Sequence, residues 1–140
     1  MTIYTIGFSG KTKDQFMEII DAVGVSTIVD IRLWRTARFV PWASGTNLSN
    51  ILANRYKYMP ELAPTKELLS AYKDGKIDWP GYEQEFNRII TDRQIEKLFS
   101  TADLNNLCFL CSEKSADKCH RRLAAEYLLK HFSDIEIVNL

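Results

Sequence analysis

The 140-residue chain predicts a single α/β domain, a mainly parallel sheet flanked by helices. Three observations carry that expectation. The first thirty residues read strand, helix, strand. Leu107–Cys111 is an unbroken apolar run, as a strand buried on both faces requires. Helical patterns separate nearly every candidate strand from the next, which is the layout of parallel crossovers.

The elements follow in order. Thr2–Ile6 is β-branched or aromatic and stops at Gly7, so a strand ends there in a Gly/Ser turn. Thr12 and Gln15 have capping-box spacing, Phe16, Ile19, Ile20 and Val23 follow at helical spacing, and Gly24 supplies a stop. Ser26–Ile31 is a second strand, expected parallel to the first. Leu33–Gly45 has no clean period and reads as a long loop. Asn47–Asn54 suits a short helix and Tyr56–Met59 a short strand, with Pro60 and Pro64 as punctuation. Thr65–Lys73 looks helical and stops at Asp74-Gly75. Tyr82, Phe86, Ile89 and Ile90 mark a helix begun near Pro80. Thr91 and Gln94 repeat the capping-box spacing before Ile95, Leu98 and Phe99. A helix is expected from about Asp117 to Phe132, and a last strand over Ile135–Val138.

Composition narrows the class. Apolar residues make up 46% and charged residues 26%, which fits a soluble globular domain. No apolar run approaches the ~18 residues of a membrane span, so no membrane partner is expected. MTIYTIGFSG lacks the basic flank and apolar stretch of a signal peptide, which makes the cytoplasm the expected location. Three cysteines, an odd count, argue against a disulfide framework. Eighteen basic residues balance eighteen acidic ones. A protein that coats long nucleic acid usually carries a basic surplus. The basic residues here are clustered instead: Arg32, Arg35 and Arg38, then Lys118, Arg121 and Arg122. Clusters of that size suit a small anionic ligand or nucleotide, or a short nucleic-acid contact. Solvated surface arginines remain the plainer alternative.

In parallel sheets the ligand crevice lies beyond the carboxyl ends of the strands. Three polar groupings fall there: Gly7 to Ser9, Asp30 with Arg32, and Cys111 with Glu113. The stretch FLCSEKSADKCHRR, Phe109–Arg122, adds more candidates. Cys108 and Cys111 have C-x₂-C spacing, and Cys119-His120 would complete a zinc set. The apolar residues between them weigh against it, because positions three apart on a strand point to opposite faces. No metal ligand is therefore assigned, and Cys108 reads as core. A phosphatase loop needs Arg six residues after Cys111, where Asp117 stands. A redox pair of Cys111 with Cys119 stays open, beside the plainer reading of two reduced thiols. On the last long helix His120 shares a face with Leu123, Ala124, Tyr127 and Leu128, so it points toward the sheet. Arg121 flanks that face and is expected to reach the crevice mouth; Arg122 points to solvent. A satisfied core histidine is the alternative for His120.

TIGFS at Thr5–Ser9, VDIR at Val29–Arg32, YKYMPELAPT at Tyr56–Thr65, WPGY at Trp79–Tyr82 and LCSEK…CHRRLAAEYL at Leu110–Leu128 together resemble the domain-of-unknown-function family 488. The resemblance runs along nearly the whole chain. It implies an α/β fold, a shared pocket, and a cytosolic, mostly prokaryotic setting, without a settled activity. Its motif positions here are Gly7, Ser9, Asp30, Arg32, Cys111, Glu113, Cys119, His120 and Arg121. Family members often carry His where this chain has Phe8, and a proline-containing loop where it has Leu33-Trp34-Arg35.

Three classes of function compete. An enzyme would act on a nucleotide, a nucleic-acid unit or another small anion, by hydrolysis or group transfer. Asp30, Glu113 and His120 would be catalytic there, with Glu113 in a half-buried crevice that suits it as an acid. Gly7, Ser9, Arg32, Cys111, Cys119 and Arg121 would bind substrate. A non-catalytic module would hold a nucleotide or single strand through Arg32, Arg35, Arg38 and Arg121, with Trp34, Phe39 and Trp42 for stacking. A metal- or thiol-dependent site is a third class. The residues name no cofactor.

Overall fold

The computed structural model describes residues 1–140. Five strands form one all-parallel sheet: β1 (Thr2–Gly7), β2 (Thr27–Asp30), β3 (Tyr56–Tyr58), β4 (Leu107–Cys111) and β5 (Glu136–Asn139). Five helices flank it: α1 (Lys13–Ala22), α2 (Gly45–Leu52), α3 (Lys66–Lys73), α4 (Trp79–Asp92) and α5 (His120–His131). The strand order is β3-β2-β4-β1-β5. No helix is long and apolar enough to cross a membrane.

Alternation along the strands divides the interior into two cores. Ile6, Ile28, Cys108 and Leu110 pack against Phe16 and Ile20 of α1 and Leu48 and Leu52 of α2. Ile3, Val29, Leu107 and Phe109 face the other way, onto Leu68 of α3, Phe86 and Ile90 of α4, and Leu123, Ala124 and Leu128 of α5. β4, central in the sheet, is buried at every position. Its unbroken apolar run follows from being covered on both sides.

β1 and β2 are parallel but not neighbours, because β4 inserts between them. The chain leaves β2 toward β3 at one edge and leaves β4 toward β5 at the other. Neighbouring strands whose connections diverge leave a crevice at their carboxyl ends. Asp30 pairs with Leu110 and Gly7 with Cys111 in the register, so β1, β4 and β2 finish level. The ladder continues past them: the Phe8 and Ser9 amides donate to the Cys111 and Ser112 carbonyls at 3.3 and 3.1 Å, and Ile31 N–H to Leu110 at 3.2 Å.

Local signals explain most boundaries. Thr12 accepts from the Gln15 amide while Gln15 accepts from the Thr12 amide, a full capping box on α1. Thr65 and Asp78 cap α3 and α4 with their side chains. The second box expected at Thr91 does not form. The Thr91 hydroxyl bonds back to the Asn87 carbonyl at 2.6 Å within α4, and Gln94, at φ 52°, leads into a 3₁₀ turn over Ile95–Leu98. Helix α5 starts three residues later than the expected Asp117, because Cys119 is extended (φ −139°, ψ 139°) and serves as its N-cap.

Candidate functional site

The protein buries only four polar or charged side chains: Thr5, Asp30, Arg32 and Arg121. All four stand at the carboxyl edge of β1, β2 and β4 or at the start of α5 facing it. Burying such groups is costly unless they are partnered. Where each one finds its partner defines the site.

Asp30, fully buried, accepts from Arg32 Nε at 2.8 Å and Arg32 Nη2 at 2.7 Å, a bidentate pair. It also accepts from the Arg32 amide at 3.2 Å and the Tyr56 hydroxyl at 2.6 Å. Burial and the neighbouring carboxylate push the Tyr56 phenol up to about 12, so it stays a donor. Arg32 is 5% exposed, and its guanidinium lies 5.1 Å from the Phe8 ring centroid. With Nε and Nη2 turned to Asp30, Nη1 points away from the carboxylate and has no hydrogen-bond partner, although it is buried.

Arg32 lines a cavity of about 380 Å³, shared with Cys111, Glu113, Lys118, Cys119 and His120. Trp34, Tyr72 and Tyr82 complete its apolar side. The first turn of α5 opens onto it, with no side chain capping its amides. Unpaired helix N-terminal amides favour negative charge.

His120, half-buried, places Nε2 2.8 Å from the Ile31 carbonyl. A carbonyl can only accept, so Nε2 carries the proton and Nδ1 keeps a lone pair. Burial pushes the imidazole down to about 4, against a smaller upward pull from the Ile31 carbonyl. The ring is neutral at pH 7. Phe86 meets it edge-on at 5.5 Å.

Arg121 turns inward instead of reaching the crevice mouth, and is fully buried. Nη1 donates to Glu113 O at 2.5 Å and Cys111 Sγ at 3.0 Å; Nε and Nη2 approach Thr5 Oγ1 at 3.3 Å and Lys114 O at 3.4 Å. It thus ties the loop after β4 to β1. Glu113 gives its carbonyl to that tie, while its side chain is exposed rather than half-buried. Gly7 makes the arrangement possible, since a Cβ there would lie 1.5 Å from Glu113 O.

Five of the nine candidate positions therefore line one cavity: Arg32, Cys111, Glu113, Cys119 and His120. Gly7, Asp30 and Arg121 stand behind it. Ser9 lies on a separate shallow surface beside Lys11 and Lys114. Cys111 and Cys119 are paired as a disulfide, with Cα atoms 7.8 Å apart. Cys108 faces the α1–α2 core, away from both. Trp42 packs on Phe8 and Phe16 at 6.2 and 5.2 Å, so it belongs to the interior rather than a stacking surface. Nothing in the sequence marks Tyr56 or Tyr72 as site residues, while Lys118 is signalled by its basic cluster with Arg121 and Arg122.

The family model described as "Domain of unknown function DUF488" matches residues 12–128. No curated protein and no solved structure matches the chain.

Proposed function

We propose, from the premise that the chain belongs to the DUF488 family, that it is an enzyme acting on a nucleotide or another small anionic substrate. The substrate would sit in the cavity at the carboxyl ends of β2 and β4. One observation carries this reading: Arg32, fixed on one edge by Asp30, lines the cavity and keeps a buried Nη1 with no hydrogen-bond partner. An orphaned buried donor costs roughly 1–3 kcal/mol, more when charged, and an anion oxygen removes that cost.

The roles follow from placement. Arg32 and the open first turn of α5 hold the anion, with Lys118 at the rim. Asp30 positions Arg32, since its oxygens are already engaged by Arg32 and Tyr56. Neutral His120 offers Nδ1 as a proton acceptor, its ring fixed through Nε2 on Ile31. Glu113, exposed at the mouth, is the second acid–base group. The reaction class is hydrolysis or group transfer.

Calorimetric titration with adenosine 5′-monophosphate and with inorganic phosphate tests the binding half. Arg32→Gln should weaken binding at least tenfold in a protein that stays folded by circular dichroism. Equal binding by wild type and Arg32→Gln, or no binding by wild type, sinks the reading. Assay of a nucleotide panel tests the chemical half, where Glu113→Gln should keep binding and lose turnover.

A second reading rests on the loop after β2. Phe39 is 90% exposed with the Arg38 guanidinium 5.6 Å from its ring, and Trp34 is 56% exposed at the cavity. Basic groups interleaved with open aromatics suit a single strand. A salt titration with short oligonucleotides decides it; absence of binding at low salt removes this reading.

A further inference from the structure

The buried charges do not balance. Two guanidinium groups, Arg32 and Arg121, face one buried carboxylate, and Asp30 is spent on Arg32. No carboxylate forms an ion pair with Arg121. Its partners are two backbone carbonyls, the Thr5 hydroxyl and Cys111 Sγ. Cys111 Sγ is the one atom among them that can carry negative charge. A buried cation without a counter-ion is strongly destabilising, and a Cys111 thiolate in the reduced protein would supply that counter-ion. Cys111 and Cys119 are paired as a disulfide in the structure, the oxidised form of such a dithiol, and both residues line the cavity.

We propose that Cys111 and Cys119 form a redox-active dithiol that reduces low-molecular-weight disulfides, with Cys111 as the attacking thiolate and Arg121 as its buried counter-ion. The Cys111 thiolate attacks one sulfur of R–S–S–R′. A Cys111–S–R bond forms, the S–S bond breaks, and R′–S⁻ leaves. Cys119 then loses its proton to solvent and attacks Cys111 Sγ, forming the Cys111–Cys119 bond and expelling R–S⁻. Two electrons pass from the protein sulfurs to the small disulfide. Thiolate attack on disulfides proceeds through such mixed species. This reading uses Arg121 and the thiols, not the Arg32 donor, so it stands or falls separately from anion binding.

Burial of Cys111 opposes the charged sulfur, and the cations near it favour it. Burial first, then repulsion from Arg121 and Lys114, holds Lys11 below the usual lysine range. Lys118 lines the cavity and His120 is neutral. Glu113 is the nearby opposing charge and it is exposed. Cys108 sits in the opposite core, where burial pushes its thiol up.

The reduced wild-type protein, alkylated with iodoacetamide from pH 5 to 10 and mapped by peptide mass, reads each cysteine without substitution. Cys111 should reach half its maximal rate at least one unit below the ~8.5 of a free thiol. In Arg121→Met the rate at pH 6.5 should fall more than tenfold. If that variant unfolds, the wild-type profile decides alone. Oxidised glutathione should convert reduced wild type to a species with the Cys111–Cys119 linkage and no retained glutathione. The proposal is overturned by a Cys111 midpoint at or above 8.5, by no Cys111 alkylation in the folded protein, or by a stable Cys111–glutathione adduct beside a free Cys119.

Discussion

Gly7 is held by a contact, not by a backbone angle. A methyl there collides with the Glu113 carbonyl and comes within 2.8 Å of Arg121 Nη1. Gly7→Ala should therefore cost about 3 kcal/mol or more, at the upper end of overpacking, because the clash is with backbone. A urea unfolding curve checks this; a loss below about 1 kcal/mol would mean that the loop after β4 shifts freely. Asp30→Asn removes the counter-ion of a buried guanidinium and should cost roughly 3–5 kcal/mol by the same measurement. His120 makes stability depend on pH. Its pKa is about 4 in the folded protein and ordinarily 6.5. Between those values the unfolded chain binds the extra proton, so this contribution is intact above pH 6.5 and is lost as pH falls toward 4. The loss is on the order of 3 kcal/mol. His120→Gln should lack that part of the slope when the two proteins are unfolded in urea across the window. At this scale the sequence was legible where a residue type stood at a strand end, as with Asp30 and Arg32. It was not legible where side-chain direction decides. Nothing in the spacing of His120 and Arg121 says that the second turns under the loop, because that depends on Gly7 letting the loop approach.

At the level of elements, β4 and α5 frame the site together. An unbroken apolar run identified β4 from sequence, since a strand covered on both faces has no polar side to show. The start of α5 was misplaced for an equally physical reason. Asp117 looks like a helix start by residue type, yet Cys119 takes the extended cap conformation and no side chain caps α5. The uncapped first turn leaves amides that the proposed anion would use. Helix α1 shows the opposite case, with a complete capping box on the far side of the sheet from α5. Thr12→Ala should cost about 1 kcal/mol and leave anion affinity unchanged. Calorimetry beside urea unfolding checks both; an affinity change would mean that α1 and the cavity are coupled.

Over the whole molecule, one topological fact places the site. Inserting β4 between β1 and β2 aligns three strand ends and sends the chain away from β2 and β4 in opposite directions. The polar groupings at those ends were visible in sequence; the order of the strands was not, because β4 is contributed from 77 positions after the end of β2 (Asp30 to Leu107). Membership of the DUF488 family fixes the relatives of this chain, while the case for a substrate rests on the buried Arg32 donor. A crystal structure of the protein grown with adenosine 5′-monophosphate tests that case most directly. A phosphate oxygen is expected within hydrogen-bond distance of Arg32 Nη1, with its neighbours on the first amides of α5. A nucleotide bound elsewhere, such as on the Lys11 and Lys114 surface, with only water against Arg32 Nη1, would contradict it.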